Sequence, residues 1–528
     1  MSERPGNQFI VGCCGVALIL AALGLFPKWT VDDAYISFRY AHNLAAHGEF
    51  TFNVGEDPVE GYTGVLHPVA ITLAMLSGIA PEIAAHALGI LAFFVLLAVF
   101  HRILGRLRIS SSCRLPAFFL FASAPILYTH VFSGLETITF TALLLASARQ
   151  LHAIVASGSV RFSSCAVLSA LLLLLTLCRP EGIAYAVIAL IVVFLACVRR
   201  RRSLRTFISG TAIFLLLPGA AYFIWRWSYY GFFFPNTFYA KRLTSFSGAS
   251  FVELAQFCAQ YLLLPTLAAI TATGVACGGK WNRPRPGVLR FRKKADLLMV
   301  GSLLIFALVI AVQYMRSHLF MNFAFRFFVP LYPIALIVLF WFAAPRTEPG
   351  QRSGEANPEP GRLVLVIVMT FLISQMALHV LWFFRKEMPF AAKYRTRLSE
   401  MARPAGLFLR ENVPASEWLA VHYDAGVIPF LSGLKTVDFG RLNDEYLAHH
   451  PRASLKDRVN YFFARSPGAA VFTSYAWERV DHGPEADAII SDPRFTRYRL
   501  ARKFSNSTEK KYHEFVFIRD DLMPGKVL

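Results

Sequence analysis

The chain is poor in acidic residues, poor in cysteine and lacks any metal-ligand spacing, and each scarcity removes a class of function. Asp and Glu number 33 against 53 Lys and Arg, a net charge of +20 over 528 residues. That surplus would suit nucleic acid. The basic residues, however, collect in short loops between apolar stretches and in the C-terminal tail, which is the pattern of a membrane topology signal. No nucleic-acid partner is therefore expected. The eight cysteines all lie at or before Cys277, so the C-terminal part holds no disulfide. With no CxxC and no Cys/His ligand spacing, no structural zinc is expected. A fixed-period repeat is also missing, and so is a clear small-x-small cleavage site between the first apolar run and Asp32. That run is expected to be an uncleaved first span that starts on the inner side.

What is present is apolar sequence. Hydrophobic residues make up 55% of the chain and the mean hydropathy is +0.48, above the share usual in soluble domains. Runs near 8–26, 82–101, 115–131, 135–148, 163–178, 182–198, 206–226, 260–277, 297–313, 327–344 and 363–384 predict about eleven spans. The apolar stretch 64–80 is short and carries His67-Pro68 near its start, so it is read as a helix lying at the interface. Charge supports that omission. With the N-terminus inside, Arg102, Arg106, Arg108 and Arg114, the run from Arg199 to Arg205 and the basic stretch 280–294 all come out cytoplasmic. Counting 64–80 as a span would place them all outside.

The segment 345–362 is rich in Pro, Gly and charge and reads as an inner loop. Beyond residue 384 the composition becomes that of a soluble domain. WLAVHYD, AAVFTSY, YRLARKF and HEFVFIR read as strands and ASLKDRVNYFFA as a helix. The expected architecture is a polytopic α-helical membrane protein. It has a transmembrane domain over 1–384, with interfacial helices in the outer loop 27–81, and a small outward α/β domain over 385–528.

With this topology the unusual polar groups share one face. Asp32 and Asp33 open the first outer loop, which also carries Arg39, Glu60, Tyr62 and His67. Glu136 lies in SGLET at the next outer turn, and Arg179 and Glu181 lie in CRPEG at the one after. Asn236, Thr237 and the pair Lys241-Arg242 follow in a long outer segment, and Arg316, His318 and Arg326 in the last. Singly, each has a plain structural reading. Arg179 with Glu181 fits an ion pair, Glu136 a first-turn acid favoured by the helix dipole, Lys241-Arg242 an anchor to lipid headgroups, and His67 a packed histidine. Together they suit a different task. A membrane site facing outward has no nucleotide sugars, so an activated sugar must arrive on a lipid. A polyprenyl phosphate places its tail in the bilayer and its phosphate at the interface. The phosphate needs cations, for which Arg179, Lys241 and Arg326 are the candidates. The acceptor hydroxyl needs a carboxylate base, and the Asp32-Asp33 pair supplies one. Arg39, Glu60, Tyr62, His67, Glu136, Glu181 and Asn236 are candidates for contacting substrate. One acidic pair without further oxygen ligands gives little for a divalent ion, so no metal or other cofactor is expected.

These motifs, in order, resemble the GT-C superfamily of membrane glycosyltransferases. The text DDAYISFRYAHNLAAHGEFTFNVGEDPVEGYTG, with SGLET, RPEG, PNTFYAK and RFFVPLYP, resembles one branch in particular. That branch is the polyprenyl-phosphate-arabinose-dependent arabinofuranosyltransferases. The resemblance covers roughly residues 25–335, and VHYDAGVIPFLSGLKTVDFGRLND extends it into the C-terminal part. It implies a polyprenyl-phosphate sugar donor and transfer at the outer face of a bacterial inner membrane. The acceptor is then a glycan, a lipopolysaccharide or a protein of the cell envelope, and the C-terminal domain is periplasmic. It also implies that an acid of the first outer loop is the base, Asp32 by alignment, with Asp33 orienting the acceptor or balancing charge. Where that branch reads Ala-Tyr-Thr-His-Pro-Leu-Trp, this chain has Gly61-Tyr62-Thr63-Gly64-Val65-Leu66-His67, so another pentose, a hexose or a uronic acid stands beside arabinofuranose as the donor sugar. Two other functions compete. A transporter or flippase of a lipid-linked saccharide would need polar groups near mid-membrane and broken spans. A binding or scaffold protein would work through the C-terminal domain alone.

Overall fold

A computed structural model describes residues 5–157, 160–198, 201–241, 246–278, 294–317, 319, 321–344 and 362–523. Outside the described residues lie Arg199 and Arg200, Arg242, His318, most of the basic stretch at 279–293 and the Pro-rich segment 345–361.

Among the described residues, six helices are long and apolar enough to cross a bilayer by length and composition: Pro81–Arg106, Thr137–Ala156, Leu204–Tyr230, Gly248–Thr273, Lys294–Met315 and Leu363–Asn412. Each coincides with an expected span. The first expected span, 8–26, falls on the 21-residue helix Pro5–Leu25, and the remaining ones fall on shorter or interrupted helices. Residues 115–131 divide into Ser111–Ala122 and Pro125–Val131, because Pro125 cannot supply the N–H that a continuous helix needs. Phe162–Cys178, Gly182–Cys197 and Leu331–Ala343 are apolar but shorter. The stretch at 64–80 forms Leu66–Leu76, an 11-residue helix and so about 16 Å long, half the thickness of a hydrocarbon core.

The first outer loop is organised by the helix Asp32–His47. Two acids in its first turn and His47 in its last complement the helix dipole. Gly48 ends it with φ +73°, its N–H bonded to the Leu44 carbonyl, a left-handed cap that glycine adopts without steric cost. Tyr35, Phe38 and Ala41 on its inner face join the main core.

The C-terminal part is an α/β unit around five strands: β1 (Trp418–His422), β2 (Lys435–Asp438), β3 (Ala469–Ser474), β4 (Tyr498–Ser505) and β5 (His513–Arg519). Their order is β2-β1-β3-β5-β4. β1 runs parallel to β2 and β3, and β5 pairs antiparallel with β3 and β4. Strand β2, four residues between two glycine-bounded turns, is the one the sequence reading missed.

Side-chain alternation divides this sheet between two cores. Leu419, Val421, Ala469, Val471, Val516 and Ile518 join the core that continues into the membrane helices. Ala420, Ala470, Phe472 and Phe515 face a separate core with Phe462 and Phe495. The membrane part and the α/β unit are therefore not joined by a linker. The helix Leu363–Asn412, of 50 residues, passes from one into the other, so the expected boundary at 384/385 falls inside a continuous helix. Glycine also allows close approach at this seam: a Cβ on Gly426 would overlap the Asp32 carbonyl, so the loop after β1 lies directly on the start of Asp32–His47.

Candidate active site

Six sequence-distant segments converge on an open cavity of about 450 Å³, its mouth included, under the α/β unit; Asp33, Tyr62, Glu136, Thr237, Arg326 and Leu442 are among its lining residues. Asp33 reaches it because it is the second residue of Asp32–His47, and its side chain is 22% exposed. Arg326 reaches it through an unusual backbone. Ala324 and Phe325 just before it have φ +45° and +53°, sterically costly for residues with a side chain and common at functional sites. The His130 Nε2 contacts the Ala324 carbonyl at 3.1 Å, and the Phe327 N–H donates to Asn322 Oδ1 at 3.0 Å, which together hold this turn.

Arg326 Nη1 lies 3.8 Å from Asp33 Oδ2 and its Nη2 lies 3.5 Å from Glu136 Oε1. The Arg326 Nε is buried and has no hydrogen-bond partner among the described residues. Behind it stands Arg179, which donates to Glu136 Oε1 at 3.1 Å and forks onto Glu181 at 3.0 and 3.4 Å. Tyr314 donates a further hydrogen bond to Glu181 at 3.0 Å. Glu136 sits one residue before the helix Thr137–Ala156. Burial alone would raise its pKa, but Arg326 and then Arg179 hold it down at about 2. Arg179, with a carboxylate on each side, is thus consumed as a support, whereas Arg326 presents its edge to the cavity. The Phe327 ring lies 5.5 Å from both guanidinium groups.

Asp32 has a different environment. It is 3% exposed, and its carboxylate oxygens accept the N–H groups of Gly426 at 2.9 Å and Val427 at 2.8 Å. Burial first, then the nearby Asp424 and Asp33 carboxylates, push its pKa up to about 8. Asp424 accepts Arg397 Nη2 at 3.1 Å on both oxygens and the Tyr512 hydroxyl at 2.7 Å. Glu514, fully buried in the same cluster, is driven well above the carboxylate range by burial and by Asp424. The two acids of the pair thus have different surroundings. Asp32 fastens the α/β unit to the first outer loop, and Asp33 faces the cavity.

The other candidate residues divide between lining and bracing. Tyr62 lines the cavity and lies 3.4 Å from the Tyr230 hydroxyl. His67 lies beside the site with Nε2 2.9 Å from the Gly134 carbonyl; burial lowers its pKa, with Glu136 opposing. Glu60 is paired with Arg226 at 2.6 Å. Asn236 gives its amide to the carbonyls of Arg441, Leu442 and Asp444 at 2.9–3.2 Å. Arg39 is buried and donates to the carbonyls of Phe52, Pro429 and Leu434 at 2.5–2.7 Å. Asn236 and Arg39 therefore hold the α/β unit rather than the cavity. Lys241 ends the short helix Asn236–Lys241, and its side chain lies outside the described residues. The reading of the sequence missed Leu442 at the cavity wall, and the Arg397, Asp424 and Glu514 cluster on which Asp32 depends. Leu442 carries no local signal. Asp424 does, since an acid two residues before a glycine at a strand end marks a tight turn. Among the described residues no group of three His, Cys, Asp or Glu side chains is placed to hold a metal.

Comparison with known proteins places this architecture. The C-terminal residues 387–517 match a family described as a domain of unknown function, DUF8728. No curated protein matches the chain in sequence. Over its whole length the chain is similar in structure to ArnT from Cupriavidus metallidurans. Against the crystal structure bound to undecaprenyl phosphate the TM-score is 0.57 at 14% identity, covering 97% of this chain and 98% of that one. Against the apo structure it is 0.58 at 13% identity, covering 99% of each. The chain has the GT-C-type fold expected from its sequence, including the C-terminal α/β part.

Proposed function

We propose that this protein is a membrane glycosyltransferase that moves a sugar from a polyprenyl-phosphate donor to a cell-envelope acceptor. The observation that carries this reading is the opposition of Asp33 and Arg326, 3.8 Å apart across one cavity. A base and a cation stand there side by side, as displacement at a glycosyl phosphate requires. Asp33 takes the proton of the acceptor hydroxyl. The freed oxygen bonds to the anomeric carbon, the bond from that carbon to the phosphate oxygen breaks, and polyprenyl phosphate leaves with the electron pair. Arg326 receives the developing charge on the phosphate, and Arg179 acts through Glu136 to fix the Arg326 guanidinium. Lys241 is a further candidate cation. A positioned base contributes about a hundred- to ten-thousand-fold in rate.

Two findings support a lipid-borne donor. Among the described residues six helices are long and apolar enough to cross a membrane, and the chain shares its fold end to end with a protein crystallised with undecaprenyl phosphate. The basic loops support an orientation with the N-terminus cytoplasmic and the α/β unit at the outer face of a bacterial inner membrane. Arabinofuranose is the donor sugar implied by the motifs, with another pentose, a hexose or a uronic acid as alternatives, and the acceptor is a glycan, lipopolysaccharide or protein. Mass spectrometry of lipid copurified with the protein tests this reading and names the sugar: a polyprenyl phosphate sugar is expected, and its consumption on adding acceptor should release polyprenyl phosphate. A saccharide lipid that only crosses the bilayer of proteoliposomes intact, with no sugar transferred, would overturn it in favour of a flippase.

A further inference from the structure

The α/β unit carries a second cluster of polar and aromatic side chains outside the catalytic cavity. Strand β1 is flanked by β2 on one side and β3 on the other, all three parallel. The connection from β1 to β2 packs on one face of the sheet, through Val427 and Ile428, and that from β2 to β3 on the other, through Val459 and Phe462, so the carboxyl ends of β1 and β3 form a topological switch point. In open α/β sheets that is where ligands bind. Backbone strain concentrates at the same rim: Tyr423 and Asp424 after β1 have φ +66° and +43°, and Arg441 after β2 has φ +72°.

The side chains at this rim are aromatic outside and polar beneath. Tyr423 and Tyr475 are 47% and 54% exposed, and Trp477, 46% exposed on the loop that Tyr475 begins, packs on His513 at 5.2 Å. His482 sits between the two tyrosines, 4.6 Å from the Tyr423 ring and 4.8 Å from the Tyr475 ring. Beneath them His422 is 3% exposed and Glu485 9% exposed. The Nδ1 of His422, the Nδ1 of His482 and the Oε1 of Glu485 are buried and have no hydrogen-bond partner among the described residues. Arg458 Nη1 lies 3.4 Å from Glu485 Oε2. Buried polar atoms are almost always partnered, so three such atoms at one switch point mark a place where a polar ligand completes the hydrogen bonding.

We infer that this cluster binds a saccharide, the acceptor glycan of the transfer reaction. The inference rests on the transferase reading for the role of its occupant, but the binding itself does not. Aromatic faces match the C–H faces of a sugar ring, and the charged groups below match its hydroxyls. Arg441 and Arg458 offset Asp481 and Glu485, so the rim has no strong preference for an anion. A peptide strand would seek an unpaired sheet edge, and the edges here are β2 and β4, away from the switch point. The loops of the rim also lead along the chain to the catalytic cavity. The loop after β1 continues from Asp424 to the backbone N–H groups of Gly426 and Val427 that hold Asp32, and the loop after β2 carries Leu442, which lines the cavity. A glycan whose end enters beside Asp33 would run along Tyr423 and Tyr475.

The test is direct binding without donor. Full-length protein in nanodiscs, fluorescently labelled, is applied to an array printed with defined bacterial envelope oligosaccharides, with peptides and phospholipid headgroups as controls. The wild type is expected to hold at least one oligosaccharide. The variant Y423A/Y475A/W477A, changed only at exposed side chains, is expected to lose that signal roughly tenfold with its melting temperature unchanged. Binding to no printed oligosaccharide, binding to the peptides alone, or equal binding by wild type and variant would each overturn the inference. Loss of transfer in an Asp33 variant that keeps its array signal would bear only on the catalytic reading.

Discussion

Asp32 and Asp33 are neighbours in sequence and look in different directions: Asp32 accepts two backbone N–H groups from the loop after β1, and Asp33 opens to the cavity 3.8 Å from Arg326. Both lie in the first turn of one helix, where consecutive side chains point about 100° apart. That rotation converts a pair of like charges into one structural clamp and one free carboxylate.

Replacing Asp33 with Asn should reduce sugar transfer by about a hundred- to ten-thousand-fold while leaving thermal stability close to wild type, because the side chain is partly exposed and only loosely paired. Transfer assayed with a purified donor lipid, beside a melting curve, measures both. Turnover equal to wild type would remove Asp33 as the base.

Asp32→Ala should act on stability. It removes the hydrogen bonds from Gly426 and Val427, each worth about 1 kcal/mol, and leaves two buried N–H groups without their acceptor. The α/β unit should then come away from the first outer loop and be cleaved by protease far faster than in the wild type. Proteolysis that is unchanged, together with lost transfer, would instead point to a chemical role for Asp32.

The buried acids make stability depend on pH. Asp32 has its pKa raised to about 8, and Glu514 is raised as well, so the folded state binds protons that the unfolded chain releases near pH 4. Stability from these groups is complete below that pH and is lost as pH rises through the folded value. The melting temperature should therefore fall between about pH 4 and pH 8, and Glu514→Gln, neutral at every pH, should flatten that fall. Asp424, held below its usual range against its own burial by Arg397 and its hydrogen bonds, works in the opposite sense and matters only in acid.

Arg326 and Arg179 should separate by assay. Arg326→Gln leaves a folded protein with a raised KM for the donor lipid and a lowered kcat. Arg179→Met strands Glu136 and Glu181 without their shared cation, a change that costs about 3–5 kcal/mol, and should show first as lost expression or a lowered melting temperature.

Sidedness has its own measurement. A reporter active only in the periplasm should be silent when fused near Lys293 and active when fused at Leu528. The reverse pattern would invert the orientation drawn from the basic loops.

Much of the fold was legible in the sequence because it is written in local composition. Apolar runs of bilayer length, and basic residues between them, stand out in any window of the chain. Alternating strands such as those at Ala469–Ser474 and His513–Arg519 show in the same way. β2 was not legible, since four residues are too few to show a period. The seam at 384/385 was not either, since the change in composition there falls within one unbroken helix. At the site, the sequence nominated Asp33 and Tyr62 in the first outer loop and Glu136 and Arg326 in two others, and these four meet at one cavity.

The sequence by itself determined which charges exist at the membrane face, because in an apolar chain each buried charge needs a partner or a task. It could not divide them between the two. Arg39, Arg179, Glu181 and Asn236 have the same chemistry as the groups at the cavity. What assigns them to bracing is the position of their partners in space: Pro429 and Leu434 beside Arg39, Leu442 and Asp444 beside Asn236, and Glu136 and Tyr314 around the Arg179–Glu181 pair. The same holds for Asp32 and Asp33. Their order along the chain is identical chemistry twice over, and only the docking of the loop at Gly426 and Val427 onto one of them leaves the other free.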